Sequence, residues 1–136
     1  MLSIKPDNVE AINNIGTSFK NLKKLTESIN FYNKAIALDP SYAEAYNNLG
    51  TVLYEKKDHI KALKAYNKAI KIYPEYAEAY YNKANLLKFC NKNIRAKENF
   101  KKAILLRNNY PKAYNSLGNV FHEEKNLHEA IFNYKT

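Results

Sequence analysis

Cysteine, glycine and arginine are scarce in this chain of 136 residues, which carries one Cys, three Gly and, among 22 basic side chains, only Arg95 and Arg107 as Arg. Cys90 has no partner for an internal disulfide and no Asn-x-Ser/Thr sequon occurs, so nothing points to an oxidising compartment. Gly16, Gly50 and Gly118 stand singly, which excludes a glycine-rich phosphate loop. His59, His122 and His128 lack metal-ligand spacing and are expected to be solvated, while Cys90 is expected to be a small filler. The start, Met1 to Asp7, has no basic segment ahead of an apolar run, and nowhere do about 18 apolar residues stand together. We therefore expect a soluble, intracellular and cytoplasmic chain with no catalytic constellation, no cofactor and no metal. What is present is enough apolar material for a core, 46% with 13% aromatic, and a net charge of +9. That charge resides in lysine, whereas phosphate and base recognition draw heavily on the forked guanidinium, so a nucleic-acid partner is disfavoured.

The informative presence is a refrain. Tyr42-Ala43-Glu44-Ala45-Tyr46-Asn47-Asn48-Leu49-Gly50 returns 34 residues later from Tyr76 to Ala84 and again from Tyr110 to Gly118, and a worn copy runs from Asn8 to Gly16. With Val9, Ala43, Ala77 and Pro111 as position 1, position 4 is Ile12, Tyr46, Tyr80 and Tyr114, and position 8 is Gly16, Gly50, Ala84 and Gly118. Position 11 is Phe19, Leu53, Leu87 and Phe121; position 20 is Ser28, Ala62, Ala96 and Ala130; position 24 is Tyr32, Tyr66, Phe100 and Tyr134. Position 27 is Ala35, Ala69 and Ala103, and Pro40 and Pro74 stand at position 32. Apolar residues at 4, 7, 8 and 11 line one face of a first helix, and those at 20, 24, 27 and 28 one face of a second. Each period is thus a helical hairpin, in which small residues at 8, 20 and 27 let the helices approach and aromatics fill the gaps. Proline at 32 closes the second helix.

Asp7-x-x-Glu10 and Ser41-x-x-Glu44 read as capping boxes, with Asp7, Ser41 and Asn109 as expected N-caps. First helices are predicted at about 9–21, 43–56, 77–90 and 111–124, and second helices at about 25–38, 59–72, 93–106 and 127–136. Residues 1–8 read as the tail of a preceding repeat, 9–42, 43–76 and 77–110 as full repeats, and 111–136 as a truncated one in a single array.

This register of large, Leu, Gly, aromatic, Ala, aromatic, Ala and Pro resembles the tetratricopeptide repeat (TPR) family, in the style of the superhelical arrays of O-linked N-acetylglucosamine transferases. The resemblance covers the whole chain and implies an all-α, right-handed solenoid of antiparallel helical hairpins. Repeat 3 departs from it at Lys83, Lys97 and Asn108; the two lysines either snorkel outward or loosen this hairpin, with Ile94 expected to replace part of the missing contact. Because the register is interrupted inside a second helix at both ends, the chain reads as a segment of a longer array. Its unpaired repeat faces, above all the helix carrying Ile131, Phe132 and Tyr134, make self-association the alternative to a frayed monomer.

On the first helix, positions 2, 5, 6, 9, 12 and 13 lie away from the core face. Position 5 supplies Asn13, Asn47, Tyr81 and Asn115; position 6 supplies Asn14, Asn48, Asn82 and Ser116; position 9 supplies Thr17, Thr51, Asn85 and Asn119. The resemblance implies that this face lines a concave groove for protein or peptide ligands, where a ladder of Asn at position 6 clasps an extended backbone. An amide offers two donors and an acceptor, which suits a peptide group whatever its side chain. The family's other mode, a carboxylate clamp for chaperone tails, keeps at best two of its five elements here, Asn82 and Lys112; other cations it needs are replaced by Asn13, Asn47 and Ser116, and Glu78 would repel a carboxylate. A protein-interaction scaffold follows as the first reading. The alternatives are a substrate-presenting region of a larger enzyme such as a glycosyltransferase, and an electrostatic binder of RNA or acidic surfaces through second-helix lysines 61, 64, 68, 71, 101 and 102.

Overall fold

The computed structural model describes residues 8–135, and among them stand seven helices and no strand. The expected first helices are α1 (Val9–Asn21), α3 (Ala43–Glu55) and α5 (Ala77–Phe89), and the expected second helices are α2 (Leu25–Leu38), α4 (His59–Ile72) and α6 (Asn93–Leu106). A seventh, α7, runs from Pro111 to Lys135. Each of α2, α4 and α6 packs against the helix before it and the helix after it, while α1, α3, α5 and α7 touch in sequence along the stack. The result is an all-α solenoid of helical hairpins.

The small-and-aromatic register is what closes each hairpin. Tyr32, Tyr66 and Phe100 at position 24 are buried, as are Ala35, Ala69 and Ala103 at position 27. Gly16 and Gly50 face those tyrosines so closely that a Cβ would lie 2.8 Å from Tyr32 Cε1 and 2.6 Å from Tyr66 Cε1. Ser28 adds a buried bond by donating its hydroxyl to the Gly16 carbonyl at 2.7 Å. Val52, Leu86 and Val120, at position 10, are buried too.

The turns within the hairpins repeat with equal fidelity. Lys23, Lys57 and Asn91 adopt left-handed backbone at φ 62, 68 and 61°. In each case the next residue's N–H returns to the carbonyl five residues back, Lys24 to Phe19, Asp58 to Leu53 and Lys92 to Leu87, all at 2.9 Å. This is the Schellman arrangement that satisfies the last carbonyls of a helix, here built mostly on lysine and not on glycine.

Five expectations need correction. No turn separates 124 from 127: α7 is one helix of 25 residues. Its position 15 is Lys125, the residue type that turns left-handed twice earlier, so local sequence does not decide the matter. A left-handed lysine costs about 1–2 kcal/mol, which the earlier hairpins offset by packing the second helix between two first helices. Among the described residues no first helix follows α7, and the uninterrupted helix prevails.

The capping boxes are also displaced. Asn8 caps α1, accepting from Ala11 N at 3.0 Å, and Asp58 caps α4, accepting from Lys61 N at 3.2 Å. Tyr42 occupies the cap position of α3, while Ser41 donates its hydroxyl to Asp39 Oδ1 at 2.7 Å. Asn109 precedes Tyr110, whose carbonyl accepts from Ala113 and Tyr114 at the start of α7. Packing of the Tyr42 and Tyr110 rings against the core sets these helix starts and overrides capping preference. Asp7, and the stretch 1–7 assigned to a preceding repeat, lie outside the described residues.

Ile94 is 71% exposed and replaces nothing. Instead Lys97 donates to Glu124 Oε2 at 2.8 Å and lies 5.0 Å from the Phe121 ring centre, tying α6 to α7. Lys83 is half-buried, and burial together with Arg95 lowers its pKa below the usual lysine value. Cys90, finally, is exposed at the end of α5 and fills no gap. His59 is no solvated residue either: half-buried, its ring centre lies 5.0 Å from that of Phe89 and 5.5 Å from that of Tyr54.

Candidate functional site

The polar face of the first helices is organised by amides that bond across repeats. Asn48 Nδ2 donates to Asn13 Oδ1 at 3.2 Å, and Asn82 Nδ2 donates to Asn47 Oδ1 at 3.0 Å. Position 6 of one repeat is therefore held by position 5 of the repeat before. Asn13 and Asn47 are fully buried, whereas Asn48 and Asn82 are half-buried and Asn14 is exposed. Asn47 also donates to the Tyr76 hydroxyl at 3.4 Å. Burial, followed by Glu78 and Glu44, raises the Tyr76 pKa and keeps that hydroxyl protonated.

Position 9 serves the hairpin as well as the face. Thr17 shares a hydrogen bond of 2.8 Å with the Tyr32 hydroxyl, and Thr51 one of 3.1 Å with that of Tyr66. Both threonine hydroxyls also donate back to the carbonyls of Asn13 and Asn47, each at 3.3 Å. In the third hairpin Phe100 lacks a hydroxyl and Asn85 stands at position 9, where it lines a concavity of the face.

That concavity, about 620 Å³, is bordered by Thr51, Tyr54, Asn82, Asn85, Lys88 and Phe89. Tyr54, His59 and Phe89 form an aromatic cluster at its edge, with Tyr54 and Phe89 centres 5.8 Å apart. Lys88 pairs with Glu123 at 3.6 Å across the same space. A second concavity of about 560 Å³ lies on the other side of Asn82, among Glu78, Tyr81, Arg107 and Lys112. Asn82 thus stands between two hollows, and its amide is the one ladder group that borders both.

The ladder stops after Asn82. Position 5 of the third repeat is Tyr81, which packs on Phe100 and Tyr110, and Asn115, Ser116 and Asn119 of α7 enter no bridge of this kind. Asn115 and Asn119 are exposed. The amide bridges and the aromatic cluster were not anticipated from the sequence. The bridges had a signal, since Asn recurs at position 5 and, 35 residues on, at position 6. The cluster had none, because Tyr54, His59 and Phe89 come from three helices at unrelated register positions.

Hairpins stacked by a shared register, with an orderly polar face along their first helices, define the class of helical-repeat interaction scaffolds. Family profiles described as TPR repeat match residues 18–57, and profiles described as tetratricopeptide repeat match 43–76 and 65–98. The chain belongs to the tetratricopeptide repeat family. Among solved structures it is similar to MamA, with 27% identity and a TM-score of 0.81 over 96% of this chain and 77% of that one. The first TPR domain of human RPAP3 is similar at 20% identity and TM-score 0.85, over 92% of this chain and 98% of that one. The first TPR of Spaghetti (RPAP3) bound to the HSP90 peptide SRMEEVD is similar at 19% identity and TM-score 0.83, over 92% and 99% of the two chains. No curated protein sequence matches the chain. The fold is that of a protein-binding module, generally without catalytic function, and no helix among the described residues is long and apolar enough to cross a membrane.

Proposed function

We propose that this interaction scaffold binds an extended peptide segment along its first-helix face, with Asn14, Asn48 and Asn82 contacting the peptide backbone. The observation that carries this reading is the pair of inter-repeat amide bridges, Asn48 to Asn13 and Asn82 to Asn47. Each bridge uses one N–H of the position-6 amide and fixes its orientation, so the second N–H and the carbonyl are presented at a defined spacing before any ligand arrives. Preorganisation of this kind lowers the ordering cost of binding. Thr17, Thr51, Asn85, Asn115 and Asn119 flank the ladder, while Asn13 and Asn47 support it from below.

The peptide this face suits is not a chaperone tail. The Spaghetti structure shows that a scaffold of this fold can hold SRMEEVD, but of the five carboxylate-clamp elements at most Asn82 and Lys112 are kept here, in the frame of repeat 2, and in the frame of repeat 1 Glu78 stands where a cation is needed. Neutral amide contacts at roughly 1 kcal/mol each predict a dissociation constant in the micromolar range or weaker for these repeats alone.

The test is peptide-array binding by the wild-type chain and by a variant with Asn14→Ala, Asn48→Ala and Asn82→Ala, with helicity confirmed by circular dichroism. Loss of at least about tenfold in affinity is expected for any peptide selected on the wild type. A folded triple variant that captures the same peptides equally well discards the ladder. Asn14→Ala alone is the cleaner probe, because Asn14 is exposed and its truncation leaves no buried amide unpaired.

A further inference from the structure

A separate groove opens on the side of α3 opposite the ladder, between α2, α3 and α4, with a volume of about 310 Å³. Its floor is apolar: Ile29 of α2, Leu49 and Leu53 of α3, and Ala65 of α4. Leu49 and Leu53 stand at positions 7 and 11, whereas the ladder uses positions 5, 6 and 9, so the two surfaces lie on different faces of the same helix.

One wall of this groove is cationic. Lys61, Lys64 and Lys68 line it at i, i+3 and i+7, Lys71 continues the stripe beyond it, and no acidic side chain borders it. Lys61 pairs only with Asp58, at 3.9 Å and largely in solvent, and among the described residues no carboxylate pairs with Lys64 or Lys68. Like charges three and four residues apart weaken a helix, and α4 contains no acidic residue to relieve them. An acidic partner would relieve that repulsion.

The next junction shows that the combination is not a by-product of the fold. One period on, Leu49 becomes Lys83, Lys64 becomes Glu98 and Ala65 becomes Asn99. There the floor is charged and the wall mixed. On α2 the wall positions are Glu27, Asn30 and Lys34, equally mixed. Among the described residues an apolar floor and an all-lysine wall coincide only where α2, α3 and α4 meet.

We infer that this groove docks an acidic protein segment carrying a large apolar side chain, which seats on Ile29, Leu49 and Leu53 while flanking carboxylates meet Lys61, Lys64 and Lys68. The stripe from Lys61 to Lys71 extends about 15 Å, the length of three helical turns, which matches acidic residues recurring on one face of an amphipathic helix. The apolar floor is what selects a protein segment over a nucleic acid or an anionic membrane surface, since a polyanion gains nothing from it.

The experiment is fluorescence anisotropy with the full chain at low ionic strength, using a labelled synthetic peptide that carries one central leucine among glutamates. Saturable binding is expected, weakened at least about fivefold by Lys64→Glu with Lys68→Glu. Leu49→Lys is the decisive variant, because the corresponding residue one period on is already Lys83 and the fold accommodates it. It should weaken the peptide at least fivefold although it adds positive charge. Tighter binding of the peptide by Leu49→Lys, equal binding of a peptide whose leucine is replaced by serine, or displacement of the peptide by polyuridylate from both proteins alike would each overturn the proposal. Absence of any saturable binding would do the same. The variant lacking Asn14, Asn48 and Asn82 should bind this peptide as the wild type does, so failure of the ladder and failure of this groove are read separately.

Discussion

Gly50 and Tyr66 show how one atom sets the distance between two helices. Alanine normally stabilises a helix interior over glycine by about 1 kcal/mol. At Gly50 the added Cβ would lie 2.6 Å from a buried ring whose hydroxyl is tethered to Thr51, so the ring cannot yield cheaply. Gly50→Ala should therefore destabilise the chain by about 1–2 kcal/mol in urea unfolding. Gly118→Ala should do the reverse, gaining up to about 1 kcal/mol, because nothing lies within 4 Å of its Cβ position. The third hairpin pairs Ala84 with Phe100, which has no tether. Adding Tyr66→Phe to Gly50→Ala should accordingly cost less than the sum of the two single changes in a double-mutant cycle.

Tyr66 also confers a dependence on pH. Burial pushes its pKa up to about 12 from the ordinary 10.0, against the opposing hydrogen bond from Thr51. The folded protein thus holds this proton more tightly than the unfolded chain does. The corresponding stability is fully present below pH 10 and is lost as pH rises from 10 towards 12, by roughly 2–3 kcal/mol. Urea midpoints measured across that window should fall for the wild type and fall less steeply for Tyr66→Phe. Identical slopes for the two proteins would remove Tyr66 from the account.

At the scale of the element, hairpin formation depends on one left-handed residue. Lys57 at φ 68° is strained for a residue with a Cβ, so Lys57→Gly should stabilise the chain by about 1 kcal/mol. Lys125 holds the same register position inside α7, where the backbone is helical, and Lys125→Gly should reduce helicity measured by circular dichroism. The opposite signs at equivalent positions follow from backbone conformation alone. Helix starts teach a related lesson. The sequence marks them to within a residue or two, but Tyr42 displaces Ser41 from the cap because burying an aromatic ring outweighs a capping bond of about 1 kcal/mol.

At the scale of the whole molecule, the repeat face of α7 remains uncovered. Gly118 is open, and Phe121, Leu127 and Ile131 are exposed along the same helix. Of the two outcomes the sequence leaves open, self-association should appear as a mass that rises with concentration in light scattering, and a frayed monomer as a constant one. A constant monomer mass across the dilution series would exclude self-association. The charge is likewise distributed unevenly over the molecule: acidic residues pair with lysines around the first-helix hollow, while the stripe on α4 has only Asp58 at its end.

The period of 34 residues determined by itself the helix type, the hairpin pairing and the identity of the core, because small and aromatic side chains at fixed spacing admit one way of closing each unit. It also placed the polar face and the position-6 asparagines, since helical periodicity fixes which residues share a side. Tertiary structure decided what periodicity cannot reach. Whether Asn13 is a contact or a buried support depends on Asn48 in the next repeat, and whether Lys125 turns depends on a packing partner and not on its neighbours in sequence. The lysine-walled groove, too, exists only where three helices converge. Periodicity describes a single helix in isolation; bridges, turns and grooves are set by the energy of contacts between helices.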